Sequence, residues 1–473
     1  MEATFDKQDD QQKGDFRPSE KGGAIWSSCE GKSASRLTHK GVMVVEQSDH
    51  SVEQLAINTI RTLSMDAVEA AKSGHPGTPM ALAPVGYVVF NDFLRFDPSR
   101  PMWINRDRFV LSCGHASMLI YSLLHLAQVE QVDEYGRPTG ELAVPLEHIR
   151  QFRQLLSRCP GHPEYRHTSG VEVTTGPLGQ GVSTSVGMAI AGKWLAARYN
   201  RPGYDLFHYG VYVLCSDGDL MEGVASEAAS LAGHLKLGNL CWIYDDNKIT
   251  IEGHTSLAFS EDVGGRFRAY GWKVLQVDDV NDLAALRAAI KEFDPAGSQP
   301  TLIIVKSIIA YGAPNKQNTH EAHGAPLGEE EIRLTKQFYG WPVDEKFRVP
   351  PEVLEVFRQG IGSRGRKLRE QWEKLFVEYE KRYPKEAEEI QRILNGELPE
   401  GWDSEIPAFP ADPKGLATRA SSGKVLNAIG KRIPWMIGGS ADLAPSNNTL
   451  LTFPEAGHFS ASNYGGRNLH FGI

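Results

Sequence analysis

Two short apolar runs, one helix apart, constrain this chain more than anything else in it. Val211-Tyr-Val-Leu-Cys215 is β-branched and too short for a helix, and Ser216-Asp-Gly-Asp219 supplies the turn chemistry that stops a buried strand. Leu240 to Tyr244 repeats the pattern. Between them Val224, Ala228, Leu231 and Leu235 recur at three- or four-residue spacing and predict a helix, with Gly238-Asn239 as its C-terminal stop. A strand, helix, strand unit with a right-handed crossover is parallel, so both strands end on one edge of a sheet. That edge is where open α/β sheets bind ligands.

Asp217 and Asn247 follow the two strands, so this topology makes them converge. A carboxylate, an amide carbonyl and the backbone carbonyl near Ile249 are hard oxygen donors, suited to Mg2+ or Ca2+ that also carries phosphate oxygens. Gly218 lets the backbone come close to a diphosphate at a helix start, where free N–H groups favour an anion. An Asp-Gly pair alone is only a turn. The second motif, one crossover later, adds the chemistry.

Asp217-Gly218 followed by Asp246-Asn-Lys-Ile-Thr-Ile-Glu-Gly253 resembles the thiamine-diphosphate motif in its transketolase version, with Ser216 where many members carry Gly. Four more strings carry the resemblance: Ser73-Gly-His-Pro-Gly77, Ser112-Cys-Gly-His-Ala116, Thr174-Thr-Gly-Pro-Leu-Gly-Gln-Gly181 and His323-Gly-Ala-Pro326. Taken singly, His75 reads as a loop residue, His115 equally as a helix cap, and a glycine-rich loop says little. His320, three residues before His323, suggests metal only on a helix that Gly324 and Pro326 disfavour.

The resemblance implies an α/β fold in which a doubly wound parallel-sheet domain is followed by the start of a second, similar one. It implies bound thiamine diphosphate with Mg2+ (or Ca2+), and passage of a two-carbon ketol unit from a ketose phosphate to an aldose phosphate. Asp217, Asn247 and the Ile249 carbonyl map onto the metal ligands. His115, Gly176, Pro177, Leu178, Gly218, Asn247 and His323 map onto cofactor contacts, with Asp442 on the thiazolium side of a cofactor held mainly by a partner subunit. His75, His162, His323, Arg419 and Ser446 map onto substrate contacts. His75, His323 and Glu222 map onto catalytic positions, Glu222 at an interface that couples the two sites of a homodimer. Dihydroxyacetone synthases share nearly every motif, and a half-enzyme needing a partner chain is a further reading. A nicotinamide dehydrogenase would need Gly-x-Gly-x-x-Gly after a strand, and none follows one here.

At 473 residues the chain is too long for one ordinary core. Residues 1–50, polar and rich in Gly and Ser, are expected to be a disordered tail, with Met43 as an internal candidate start. Residues 51–339 are expected to form the diphosphate- and metal-binding domain. Its further elements are helices over Leu55–Ala71, Ser117–Leu126, Val182–Ala196 and Asp279–Phe293, and strands from Arg106 to the Gly114-His115 turn, over Trp272–Val277 and over Pro300–Val305. Residues 340–412 read as a helical connection whose stripe Leu368, Trp372, Leu375, Phe376 and Tyr379 is core packing, broken at Pro384. Residues 413–473 open an incomplete second domain with a helix over Gly423–Ile429 and a strand over Pro434–Leu443. The family's next elements, a glutamate that acts on the aminopyrimidine ring and an aromatic pocket for that ring, are expected beyond Ile473, so the isolated chain is expected to turn over poorly.

A net charge of −9 and a pI near 6.0 argue against nucleic-acid or anionic-membrane surfaces. No apolar stretch reaches membrane-spanning length, and the N-terminus has no signal-peptide pattern. Cys29, Cys113, Cys159, Cys215 and Cys241 show neither paired nor metal-type spacing, which points to a reduced, cytoplasmic setting.

Overall fold

The computed structural model describes residues 51–473; the tail expected at 1–50, with Cys29 and Met43, lies outside the described residues. Five parallel strands form the central sheet: β1 (Arg108–Leu111), β2 (Val211–Ser216), β3 (Leu240–Asp246), β4 (Lys273–Val277) and β5 (Thr301–Lys306). They lie in the order β1-β2-β3-β5-β4, with Leu214, Ile243 and Ile303 in register across the middle. Because strand side chains alternate, Tyr212, Leu214, Ile243 and Ile303 enter one core while Val211, Val213, Trp242 and Leu302 enter another. Helices α1 (Val52–Ala71), α2 (Gly77–Val88) and α3 (Ser117–Leu126) contribute to the first core. Helices α4 (Gln180–Tyr199) and α6 (Gly223–His234) contribute to the second, with the short α5 (Asp217–Met221) leading from β2 into α6. Helix α7 (Leu283–Lys291) returns to the first face through Leu286 and Ile290. Both faces are covered, as a doubly wound α/β sheet requires, and every strand points its C-terminal end at the same edge.

The expected elements are present, with three instructive differences. In α6 the buried residues are Ala225, Ala229 and Ala232, so Val224, Ala228 and Leu231 are left half-buried on a neighbouring face. The small alanine face allows close packing on α4, which outweighs the larger apolar area of the other stripe. The helix stops at His234, where Lys236 takes the left-handed conformation (φ 53°) expected at Gly238-Asn239. Gly238 instead makes room for another chain segment: a Cβ there would sit 1.9 Å from the Gly297 carbonyl oxygen. The third difference is at Pro434–Leu443, where only Gly438–Gly439 pairs, in parallel with Asn468–Leu469. Asp442 at φ 51° turns the chain away before the strand can lengthen.

The segment read as a connection forms α8 (Ser363–Arg382) and α9 (Pro384–Asn395), with Pro384 opening the second helix. It is tied closely to the α/β body. Arg364 donates to the carbonyls of Phe90 and Leu94, Arg369 pairs with Asp97 at 2.6 Å, and Arg198 pairs with Glu389 at 2.6 Å. Trp372 and Phe376 stack, and the Trp372 indole N–H reaches the Leu206 carbonyl at 2.8 Å. Helix α10 (Thr418–Arg432) begins the C-terminal part. Among the described residues no helix is long and apolar enough to cross a membrane, and Cys113, Cys159, Cys215 and Cys241 are free and buried.

Candidate active site

Glycines shape the histidine-bearing loops. Helix α1 ends at left-handed Lys72 and Gly74 (φ 136°), and α2 restarts at Gly77, leaving His75 in the turn. A Cβ on Gly77 would lie 2.4 Å from the Ala322 carbonyl oxygen, so this turn is pressed against the segment carrying His323. After β1, a Cβ on Gly114 would lie 2.6 Å from Thr175 Oγ1, which puts the His115 turn on the glycine-rich loop. A Cβ on Gly176, whose φ is 143°, would lie 3.2 Å from the His162 ring.

These approaches gather four histidines from distant parts of the chain. The His75 ring centroid lies 5.1 Å from His115, 5.8 Å from His323 and 6.5 Å from His162, and His115 stacks on His323 at 5.1 Å. Burial lowers all four pKa values before any neighbour acts. His323, Arg153 and His162 add their repulsion at His75, which falls to about 4, and the neighbouring histidines push His115 further down. Around neutral pH the cluster is therefore uncharged, and each ring offers one donor and one acceptor nitrogen. His75 Nδ1, His115 Nε2 and His323 Nδ1 are buried without a hydrogen-bond partner. Orphaned polar atoms of that kind suit a ligand rich in hydroxyl and oxyanion groups.

Asp217 opens the second half of the site. It is 1% exposed, accepts from the Tyr244 hydroxyl through Oδ1, and has no partner for buried Oδ2. Burial raises its pKa to about 6, against the Tyr244 bond and with the Asp246 charge adding to it. Asn247 Oδ1 accepts from the Ile249 N–H at 2.8 Å, a tight turn that left-handed Lys248 (φ 64°) makes possible. Ile251, just beyond, approaches Gly324, which in turn borders His75: a Cβ on Gly324 would meet them at 3.2 and 3.4 Å. Leu178 packs on Gly218 and Glu222 on Gly179, so the glycine-rich loop spans from His162 to the β2 end. Among the described residues no three His, Cys, Asp or Glu side chains group as a metal site. One carboxylate with an orphaned oxygen, one amide oxygen and a nearby carbonyl fit a hard divalent cation that takes its remaining oxygens from a diphosphate.

Sequence reasoning missed residues that hold these loops together. Asp219, 0% exposed, accepts from Ser112 Oγ at 2.7 Å, Gly179 N at 2.9 Å and Ser216 N at 3.0 Å, tying together the β1 end, the glycine-rich loop and the β2 end. Its signal was the Ser216-x-x-Asp219 capping box. Arg153, bonded to Ser73 and beside Gly161, had none. Other mapped residues stand apart from the histidines. Glu222 is exposed at the α5–α6 junction. Arg419, Asp442 and Ser446 are exposed in the C-terminal part, and none of the three hydrogen-bonds to the cluster.

Residues 52–399 match the family described as transketolase, thiamine diphosphate binding domain. A transketolase of Geobacillus stearothermophilus is 51% identical over 424 residues, covering 90% of this chain and 61% of the relative. A Bacillus subtilis transketolase is 48% identical, covering 89% and 61%. Among solved structures, a Pichia stipitis transketolase in complex with sedoheptulose-7-phosphate superposes with a TM-score of 0.83 at 45% identity, and one from Leishmania mexicana with 0.83 at 41%. Each covers 90% of this chain and 61% of the solved one, so the chain spans about three fifths of the length of these relatives.

Proposed function

This chain belongs to the transketolase family, and we propose that it binds thiamine diphosphate through a divalent cation and serves the transfer of a two-carbon ketol unit between sugar phosphates. The observation that carries the proposal is the meeting of orphaned nitrogens on His75, His115 and His323 with glycine-lined loops and the orphaned Asp217 oxygen at one sheet edge. Bound there, the cofactor supplies a carbon nucleophile and an electron sink for cleaving and forming the ketose C–C bond.

The chain's own residues take the following proposed roles. Asp217, Asn247 and the Ile249 carbonyl hold Mg2+ or Ca2+, while Gly176, Pro177, Leu178 and Gly218 leave room for the cofactor. His115 and His323 donate to its phosphate side, and Asp442 serves its thiazolium side. His75, His162 and His323 are uncharged donors for sugar hydroxyls, and an uncharged imidazole can also carry a proton to or from a substrate oxygen. Arg419 and Ser446 take the sugar phosphate. A second copy of the chain is the proposed partner, with Glu222 and the half-buried Val224, Ala228 and Leu231 on the face it would cover. The buried free thiols support a reducing, cytoplasmic compartment. We also keep 51–339, 340–412 and 413–473 as binding domain, connection and second domain.

Calorimetry tests the reading. The parent chain is expected to bind thiamine diphosphate with Mg2+, and to lose nearly all affinity in excess chelator or as Asp217→Ala. Equal binding under all three conditions would refute it.

A further inference from the structure

Strand β3 ends in Tyr244-Asp245-Asp246, and its side chains alternate across the sheet. Tyr244 and Asp246 therefore share one face and Asp245 takes the other. On the first face the buried Tyr244 hydroxyl donates to Asp217 Oδ1, leaving Asp217 Oδ2 buried and unpartnered. Asp246 Oδ1 lies 3.0 Å from the same hydroxyl, which has one proton to give, and Lys248 Nζ at 2.5 Å satisfies Asp246 instead. On the second face Asp245, 0% exposed, accepts from Asn247 Nδ2 at 2.6 Å and from the Ser307 hydroxyl at the end of β5. A carboxylate only accepts, so this bond selects the Nδ2 side of the amide and turns Oδ1 the other way. One Oδ1 lone pair takes the Ile249 N–H, and the other is free.

We propose that β3 carries the positioning shell of the cation site: Tyr244 aims the Asp217 carboxylate, and Asp245, braced by Ser307, aims the Asn247 amide. The two ligands are gripped from opposite faces of one strand, so a single rigid element sets their separation. This inference rests on the reading of Asp217 and Asn247 as ligands, and assigns the neighbouring Tyr-Asp pair to orientation. Loss of an outer hydrogen bond to a ligand costs on the order of 10- to 100-fold in metal affinity. Mg2+ demands near-ideal octahedral geometry, whereas Ca2+ tolerates longer and looser coordination. Loosening either grip should therefore harm Mg2+ more than Ca2+.

The test is calorimetric titration of Mg2+ and of Ca2+ into the full chain at saturating thiamine diphosphate, for the parent, Tyr244→Phe, Asp245→Ala and Asp217→Ala. Thermal unfolding without ligands is measured on the same four proteins. Tyr244→Phe keeps the ring but removes the hydroxyl that donates to buried Asp217, so its ligand-free Tm should fall modestly and the Mg2+ to Ca2+ ratio is the deciding readout. Its Mg2+ Kd is expected to rise by about 10-fold or more, and by a larger factor than its Ca2+ Kd. Asp245→Ala should shift the ratio the same way even if it unfolds at lower temperature. Unchanged Mg2+ affinity in Tyr244→Phe, with Asp217→Ala defective, would overturn the inference alone. Equal weakening of both ions in Tyr244→Phe would also overturn it, since a merely structural hydroxyl would behave that way. An Asp217→Ala chain that binds as tightly as the parent would overturn the cation reading and this inference with it.

Discussion

Replacing Gly77 by alanine tests whether the His75 turn is held where it is by contact. Gly77 is the first residue of α2, and its φ lies outside the left-handed range, so alanine would meet a problem of space and not of torsion. Its Cβ would lie 2.4 Å from the Ala322 carbonyl oxygen and 2.6 Å from Ile309 Cγ1. Ordinary contact requires the two segments to part by roughly 1 Å. The Ile309 side chain can turn aside, but the Ala322 carbonyl is backbone, and the Gly77 carbonyl is tied at 3.0 Å to the N–H of Ala310. Such overpacking costs about 1–3 kcal/mol, and relief of the glycine entropy penalty in a helix returns about 0.5–1 kcal/mol. The net expectation is a loss of up to about 2.5 kcal/mol. Gly187, exposed in the middle of α4 with nothing within 4 Å of its Cβ position, is the matched control, and Gly187→Ala should gain about 0.5–1 kcal/mol. The same shift would separate His75 from His323, and a 1 Å misplacement can cost on the order of 10²-fold in rate. Urea unfolding of both variants measures the stabilities, and titration with a ketose phosphate, the proposed substrate, measures the site. A Gly77→Ala chain as stable as Gly187→Ala, with undiminished ketose-phosphate affinity, would refute the argument that packing at Ala322 sets the His75 position.

Two further outcomes follow from buried charge. His75 has its folded pKa lowered to about 4, chiefly by burial, so below its unfolded value near 6.5 the unfolded chain binds the proton more readily. Stability should fall as pH drops from about 6.5 to about 4 and then level off in this respect, by up to about 3 kcal/mol less the screening kept by a partly exposed ring. His75→Gln should show a shallower fall in urea midpoint across that window, and an identical slope would count against a neutral buried imidazole. Lys336 Nζ, fully buried, pairs with Asp66 Oδ1 at 2.8 Å, and Lys336→Met should cost about 3–5 kcal/mol by stranding that carboxylate. Adding Asp66→Leu should recover most of the loss, and denaturant unfolding showing the double variant less stable than the single one would refute the stranded-charge account.

The strand, helix, strand unit around Asp217 and Asn247 was legible because it rests on short-range rules. A β-branched run ended by turn residues, a helical period and a second run define a parallel pair whatever else the chain does, and a parallel pair must end on one edge. The buried face of α6 was not legible. Periodicity marks both the alanine stripe and the Val224, Ala228, Leu231 stripe, and only the proximity of α4 makes the smaller one the better surface to bury. The histidines divide in the same way. His75, His115 and His323 each stand in a string that carries the resemblance, yet a lone His75 reads as a loop residue and a lone His115 equally as a helix cap. The structure brings their rings to 5.1 Å because Gly77 and Gly114 let distant backbones touch, and that contact is also what removes water and leaves the rings uncharged. Tyr244 and Asp245 were silent in the sequence, and Asp219 showed only as half of a capping box, for a related reason. A buried carboxylate or hydroxyl acts through partners far along the chain, and which donors reach Asp219 from residues 112 and 179 is settled only when the sheet, the glycine-rich loop and the helices close around it.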